Sequence, residues 1–381
     1  MQSKNILYIA DPNSIHDFKW ISFFSQKDDF NCFLIGEKGT YANLNVEQKN
    51  NLKSVGINLL SPIDDFSFTS PVKTLKAILS LKRVIKEHEI DTVHAMFGSP
   101  QPIWFNFLPS NKKLLITNRG SDVLVLIKGL YDNRAKMLNK LLYKLIKRGF
   151  QKSNYVTCTS SKQIDYLKVD VLKPSTDIQL IKTGVDVDRI KKHDLPCELN
   201  IAVDKKVVFS IRYIGEVYNM KYQLEGIKKL PKETLDNTQF IFVRGNSCGD
   251  KLYNQFKSDL DNINGLDYHI EHSLNQNEVW SLIKRSDLVY MVPKSDGTPN
   301  SALEAMASEK PFIMGDLEYN KELFAGVCLI ADLSNPQSLS DKIEEGLKSY
   351  PENLITNGLE KVTKFGSREA EMNKLLNLYQ E

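Results

Sequence analysis

The chain has 381 residues, 41% apolar and 25% charged, with a formal net charge of +3. Such a length calls for two domains, and the composition is that of an ordinary globular protein. Five scattered cysteines, six histidines without an HxxxH or HxH pair, and no run of 18 apolar residues argue against a disulfide framework, a zinc site and a membrane span. The start, MQSKNILYIAD, has no apolar stretch of signal-peptide length, so the expected location is the cytoplasm.

In chain order, NILYIAD (5–11) reads as a first strand buried on both faces. The loop DPNSIHDF follows it, then a helix through Trp20 and Phe24, then the strand FNCFLIG (30–36). Strand, loop, helix, strand opens a parallel α/β sheet. Open α/β sheets bind ligands at the carboxyl ends of their strands, which places His16 at the expected ligand edge. His16 is there either as a contact or as a satisfied polar residue. GINLLSP (56–62) is a third strand, 73–88 a helix with a basic outer face, and DTVHAMFG (91–98) a strand ending in His94, Phe97 and Gly98. LLIT then runs into Asn118-Arg119-Gly120-Ser121-Asp122, again at the ligand edge. Asp122 is either a ligand contact or a helix cap.

Residues 128–152 carry Lys128, Arg134, Lys136, Lys140, Lys144, Lys147, Arg148 and Lys152 against one acid, Asp132. Met137, Leu138, Leu141, Leu142 and Leu145 fall at helical spacing. The stretch is either a helix packed on its domain with a solvated basic face, or one whose basic face also meets anionic lipid. It has no recognised motif or aromatic platform for nucleic acid. NYVTCTS (154–160) and 177–190 complete the first half, with Gly184-Val185-Asp186 closing the last strand and beginning the crossing to the second domain, and 194–206 is a polar connection.

The pattern then restarts. KVVFSIRYIG (206–215) is a strand with Arg212 near its end, TQFIFVRGN (238–246) a strand closing on Gly245, and YHIEH (268–272) another. Residues 275–286 form a helix with Asn275 and Glu278 at capping-box spacing. DLVYMVPKS (287–295) leads into SDGTPNSALEAMASEKPFI (295–313); PFIMGD and VCLIAD finish the sheet, and 367–381 is a last amphipathic helix.

The 295–313 stretch reads as a turn and a helix start, with Thr298 as N-cap and Pro299 at the first helical position. The N–H groups of Asn300, Ser301 and Ala302 are then expected to point out unpaired, an end that binds phosphate. Asp296 precedes it, and Glu304 lies one turn beyond Asn300. Two acids around a phosphate cradle suit a nucleotide-sugar; the plainer alternative is a capping turn with a surface Glu.

The chain resembles a retaining glycosyltransferase of family 4 along nearly its whole length. The resemblance is carried by Asp296-Gly297-Thr298-Pro299 followed by Leu303-Glu304-Ala305-Met306-Ala307, with support from Gly184-Val185-Asp186, Arg212, Arg119-Gly120-Ser121-Asp122 and Ser14-Ile15-His16. It departs from the family pattern in Asp296, where Glu is common, in Arg119, where His is common, in Pro12-Asn13-Ser14, where two glycines are usual, and in Tyr218, where Lys is expected. The resemblance implies the GT-B fold: two doubly wound Rossmann-like parallel-sheet domains facing a central cleft. The expected limits are 1–190 for acceptor, 191–366 for donor, and a helix 367–381 returning to the first domain.

It also implies roles. Arg212, with Lys221 as helper, neutralises the leaving diphosphate; Asp296 holds the transferred sugar and Glu304 the ribose. His94 stands at the reacting centre from the first-domain side. Asn219, Gly245, Gly297, Thr298, Pro299, Asn300, Ser301 and Ala302 line the donor site, and His16, Arg119 and Asp122 the acceptor side. No metal or cofactor is expected, and the donor is of UDP or GDP type. The implied reaction moves a hexosyl or N-acetylhexosaminyl group to a lipid-linked or polyanionic glycan in surface-polysaccharide (O-antigen) assembly. It would take place at the inner face of the membrane, with 128–152 touching anionic lipid and no nucleic acid involved. The alternatives are a nonhydrolysing nucleotide-sugar epimerase and an inactive transferase-like partner subunit.

Overall fold

The computed structural model describes residues 3–42, 44–173, 175–199, 201–245, 248–296, 299–318 and 324–381. The chain forms two compact units, Met1–Thr183 with Glu371–Glu381, and Gly184–Ala370.

The first unit is built on a seven-stranded parallel sheet in the order β3-β2-β1-β4-β5-β6-β7. Its central strand β1 (Lys4–Ile9) pairs with β2 (Phe30–Ile35) on one side and β4 (Thr92–Ala95) on the other. Alternation along β1 explains its continuous apolar sequence. Leu7 and Ile9 join the core that holds Leu81 and Ile85 of the helix Pro71–Glu87. Ile6 and Tyr8 join the opposite core, with Trp20 and Phe24 of the helix Ile15–Ser25 and Met372, Leu375 and Tyr379 of the helix Arg368–Gln380. Lys4 Nζ donates to the Tyr379 carbonyl at 2.6 Å and Lys113 Nζ to the Leu378 carbonyl at 3.2 Å, two cations at the negative end of that last helix.

β3 is Ile57–Leu59, β5 Lys113–Thr117, β6 Tyr155–Cys158 and β7 Asp177–Leu180. The last strand, expected to close at Gly184-Val185-Asp186, ends at Leu180. Asp186 Oδ1 accepts the Arg189 N–H at 3.0 Å and starts the helix Val187–Lys192 instead. The basic stretch is not one helix: a π-type turn (Asp122–Ile127) and Lys128–Asp132 precede Met137–Lys152. Its apolar stripe divides. Leu142 and Leu145 pack on the core, whereas Met137, Leu138 and Leu141 are exposed, as are Val125 and Leu126.

The second unit holds a six-stranded parallel sheet, β10-β9-β8-β11-β12-β13. Its strands are β8 (Lys206–Tyr213), β9 (Thr238–Val243), β10 (Asp267–Glu271), β11 (Leu288–Met291), β12 (Phe312–Gly315) and β13 (Leu329–Ala331). Phe209 and Val289 face one core, Val208 and Tyr290 the other. Two helices that were not read from the sequence, Pro336–Ser349 and Glu352–Phe365, bury Leu339, Ile343 and Val362 in these cores.

Strand order reverses between β1 and β4 in the first sheet and between β8 and β11 in the second. These are the switch points where doubly wound sheets leave a crevice outside their carboxyl ends. Among the described residues no helix is long and apolar enough to cross a membrane.

Candidate active site

In the second unit the β8 and β11 ends bring the central residues together. β8 delivers Arg212, and a tight turn (Glu216–Tyr218) follows it. The loop after β11 is tied to that turn where the Lys294 N–H donates to the Val217 carbonyl at 2.8 Å. Arg212 Nη2 then donates to Asp296 Oδ2 at 2.6 Å, and Nη1 to Ser301 Oγ at 3.4 Å. The Arg212 guanidinium lies 4.9 Å from the centre of the Tyr218 ring. Asn219 closes the turn in the left-handed region (φ 60°, ψ 44°), which Asn tolerates well, and leads into the helix Met220–Ile227.

The helix Asn300–Ala307 supplies Ser301 and Glu304. Its opening corrects the sequence reading in two ways. Pro299 is the capping residue rather than the first helical one, and the Ala302 N–H donates to the Pro299 carbonyl at 3.1 Å rather than pointing out unpaired. Gly297 and Thr298 lie outside the described residues. Glu304 is buried rather than open to solvent, and Gln276 Nε2 donates to its Oε1 at 2.9 Å. Gln276 is placed by the Asn275–Glu278 capping box, which forms as its spacing predicts.

Gly245 follows β9 with φ +74°, and a Cβ there would sit 2.6 Å from the Tyr213 ring. Its close neighbour among the described residues is that ring. Beside it, Arg244 pairs with Asp250 and stacks on Tyr253 at 4.5 Å. Lys221 is exposed and lines a shallow groove with Leu252, Gln255 and Asp259.

The first unit's switch point is organised differently. Ser14 caps the helix Ile15–Ser25, leaving Ile15 and His16 exposed on its first turn and Asp17 buried. Arg119 Nη2 donates to Asp17 Oδ1 at 3.0 Å, with its guanidinium 4.5 Å from the Trp20 ring centre. Burial lifts the Asp17 carboxyl above its usual range, and Arg119 pulls it partly back; burial likewise lowers Arg119, which Asp17 opposes. Asp122 accepts the N–H groups of Gly98 at 2.7 Å, Gly120 at 2.8 Å, Val123 at 3.0 Å and Arg119 at 3.1 Å. It caps a loop. Its carboxyl too is raised by burial, against the pull of these donors.

His94 is not at the ligand edge. It is fully buried, with Nδ1 2.6 Å from Tyr379 Oη and Nε2 2.8 Å from Thr117 Oγ1. Burial, and then the charge of Arg119, lower it to about 3, so the ring is neutral near neutral pH. Its side chain belongs to a polar chain that continues from Thr117 to Thr157 and from Tyr379 to Tyr8. Asp17, Trp20 and Gln276 were not read as site residues from the sequence, and Tyr218 stood out there only as a departure from the family pattern. For Asp17 the signal was an acid one residue after His16, on the same helix turn at the ligand edge.

A groove of about 1170 Å³ in the first unit, lined by Lys4, Asn5, Asp91 and Lys113, lies at the amino ends of β1, β4 and β5. It is therefore at the wrong edge of the sheet for this chemistry. Among the described residues no three His, Cys, Asp or Glu side chains converge as a metal site.

Residues 5–160 match the family described as "Glycosyl transferase 4-like", and residues 192–361 the one described as "Glycosyl transferases group 1". No curated protein matches the sequence. Among solved structures, a glycosyltransferase from Rickettsia africae aligns with TM-score 0.76 and 14% identity over 100% of this chain and 98% of that one. The Anabaena protein HepE in complex with UDP aligns with TM-score 0.73 and 11% identity, over 99% of each chain. A UDP-forming trehalose-phosphate synthase from Burkholderia xenovorans aligns with TM-score 0.70 and 9% identity over 100% of this chain and 99% of that one. At these identities the structural likeness speaks for the fold. Each unit thus carries a doubly wound parallel sheet and a family match of its own: the first belongs to the glycosyl transferase 4-like family, the second to the glycosyl transferases group 1, and the chain is a glycosyltransferase, an enzyme that transfers a sugar from a nucleotide-sugar donor.

Proposed function

We propose that the protein transfers a hexosyl or N-acetylhexosaminyl group, with retention and without a metal, from a UDP- or GDP-sugar to a lipid-linked glycan in surface-polysaccharide assembly. The observation that carries the donor half is the Arg212–Asp296–Ser301 cluster at the β8/β11 switch point. Breaking the bond between the anomeric carbon and the diphosphate oxygen leaves negative charge on that oxygen. A guanidinium fixed in advance at that point lowers the barrier. The new bond forms to an acceptor hydroxyl oxygen on the same face, and the hydroxyl proton passes to the departing diphosphate. Asp296 holds hydroxyls of the sugar and thereby places its anomeric carbon. Glu304, buried and held by Gln276, takes the ribose hydroxyls. That HepE was solved with UDP favours a uridine donor as the first trial.

The first unit takes the acceptor in this reading, with His16 and Arg119 at the edge that meets it. The exposed Val125, Leu126, Met137, Leu138 and Leu141, set among Lys128, Lys136, Lys140 and Lys144, suit an anionic bilayer at the inner face of the cell membrane. Apolar side chains insert, and each nearby cation contributes about 1 kcal/mol.

The test is a panel of UDP-, GDP- and dTDP-sugars, first by thermal shift and then with lipid-linked acceptors and mass analysis. One donor should raise the melting temperature, and its sugar should appear on the acceptor with EDTA present. A new epimer from donor alone would point to the epimerase instead. Failure of every donor to bind would remove the reading.

A further inference from the structure

Tyr218 stands where the resemblance leads one to expect a lysine, and the structure gives that ring a place. The Tyr218 N–H donates to the Gly215 carbonyl at 2.9 Å, and Gln223 Nε2 donates to the Tyr218 carbonyl at 2.7 Å. Gln223 is itself buried, its Oε1 accepting from Ser210 Oγ at 3.0 Å and Tyr290 Oη at 2.9 Å. The ring lies in the space left by the missing Cβ of Gly215, where a methyl group would meet ring carbons at 3.1 and 3.5 Å. Gly215 has φ −173°, an extended conformation open to any residue, so what the glycine supplies here is room.

Arg212 rests on that ring with its hydrogen bonding incomplete. Nη2 holds Asp296, Nη1 reaches Ser301 only at 3.4 Å, and Nε is buried without a hydrogen-bond partner among the described residues. A buried donor left in that state favours any ligand that brings several oxygens.

We propose that Tyr218 is the positioning residue for Arg212 and carries it through an exchange of partners. In the free protein the guanidinium holds the Asp296 carboxylate. An incoming nucleoside diphosphate takes the guanidinium from that carboxylate, and the ring keeps the cation in place throughout. The exchange releases Asp296 to the hydroxyls of the sugar. This rests on the donor-site reading of the second unit.

The experiment is calorimetric titration of UDP, GDP and dTDP into the wild-type protein and the variants Asp296→Asn, Tyr218→Leu, Tyr218→Phe and Gly215→Ala, each checked by thermal melting. The diphosphate that binds wild type should bind Asp296→Asn about tenfold more tightly, because a competing anion is gone. It should bind Tyr218→Leu and Gly215→Ala about three- to tenfold more weakly, with Tyr218→Phe restoring wild-type affinity within about twofold. Unchanged or weaker binding to Asp296→Asn overturns the exchange. Wild-type affinity in Tyr218→Leu, or an equal loss in Tyr218→Phe, overturns the role of the ring. Failure of all three diphosphates to bind wild type overturns the donor-site reading and the exchange with it.

Discussion

Both sheets place an arginine between an aromatic ring and an aspartate at the ligand edge, and among the described residues each keeps buried nitrogens without a hydrogen-bond partner, Nε and Nη1 in Arg119 and Nε in Arg212; the two sites differ in exposure and in what holds their acids. Arg119 and Asp17 are 12% and 7% exposed, against 22% and 16% for Arg212 and Asp296. Around Arg119 the acids are committed to the fold: Asp17 to the guanidinium and Asp122 to four backbone N–H groups. Around Arg212 the contacts come from side chains on two loops and one helix start, and one is long. The first charge pair builds its loop, whereas the second is the more open to a ligand.

The largest expected effect tests the first half of that contrast. Arg119→Ala leaves Asp17 buried without its cation, which should cost about 3–5 kcal/mol of stability. Urea unfolding followed by Trp20 and Trp104 in a Trp280→Phe background reads the first unit alone, because those two tryptophans belong to it. A loss below about 1 kcal/mol would erase the distinction between the two pairs.

Arg212→Ala should show the reverse. Sugar transfer should fall about 10²–10³-fold through lost stabilisation of the leaving diphosphate, while stability changes by about 1 kcal/mol or less. Parallel kinetics and unfolding on the same preparation separate the two effects.

A pH series sharpens the contrast further. His94 is lowered from 6.5 to about 3, so the unfolded chain binds a proton that the folded one refuses between those values. Stability from this group is therefore complete above pH 6.5 and lost as pH falls toward 3, with a slope of at most about 1.4 kcal/mol per pH unit. Asp17 and Asp122 act in the opposite sense. Their carboxyls are raised, so acid relieves the cost of their burial. In the same Trp280→Phe background, His94→Gln should flatten the pH dependence of first-unit stability; an unchanged slope would remove His94 as its source. The smallest effect belongs to Lys221→Ala, an exposed cation whose loss should alter donor affinity by less than about threefold.

The central strands β1, β8, β9 and β11 were legible because each is a short, mostly apolar run with both faces largely buried. The helices 336–349 and 352–365 were harder, since their buried residues are few and separated by polar ones. In the site, Asp296, Ser301 and Glu304 fall within one local motif and could be read together. The partners of Arg119 and His94 could not, because Asp17 is 102 residues from Arg119 and Tyr379 is 285 from His94. Tyr218 was visible only as a departure from a pattern; its stacking on Arg212 depends on the room at Gly215 and the hold of Gln223.

The central claim is that the Arg212 cluster is the diphosphate site of a nucleotide-sugar donor. Calorimetric titration of UDP and GDP into wild type, Arg212→Ala and Lys221→Ala tests it most directly. The account predicts saturable 1:1 binding of one of them to wild type and Lys221→Ala, with affinity at least about tenfold lower in Arg212→Ala. Equal binding to wild type and Arg212→Ala, or binding of neither nucleotide to wild type, would contradict it.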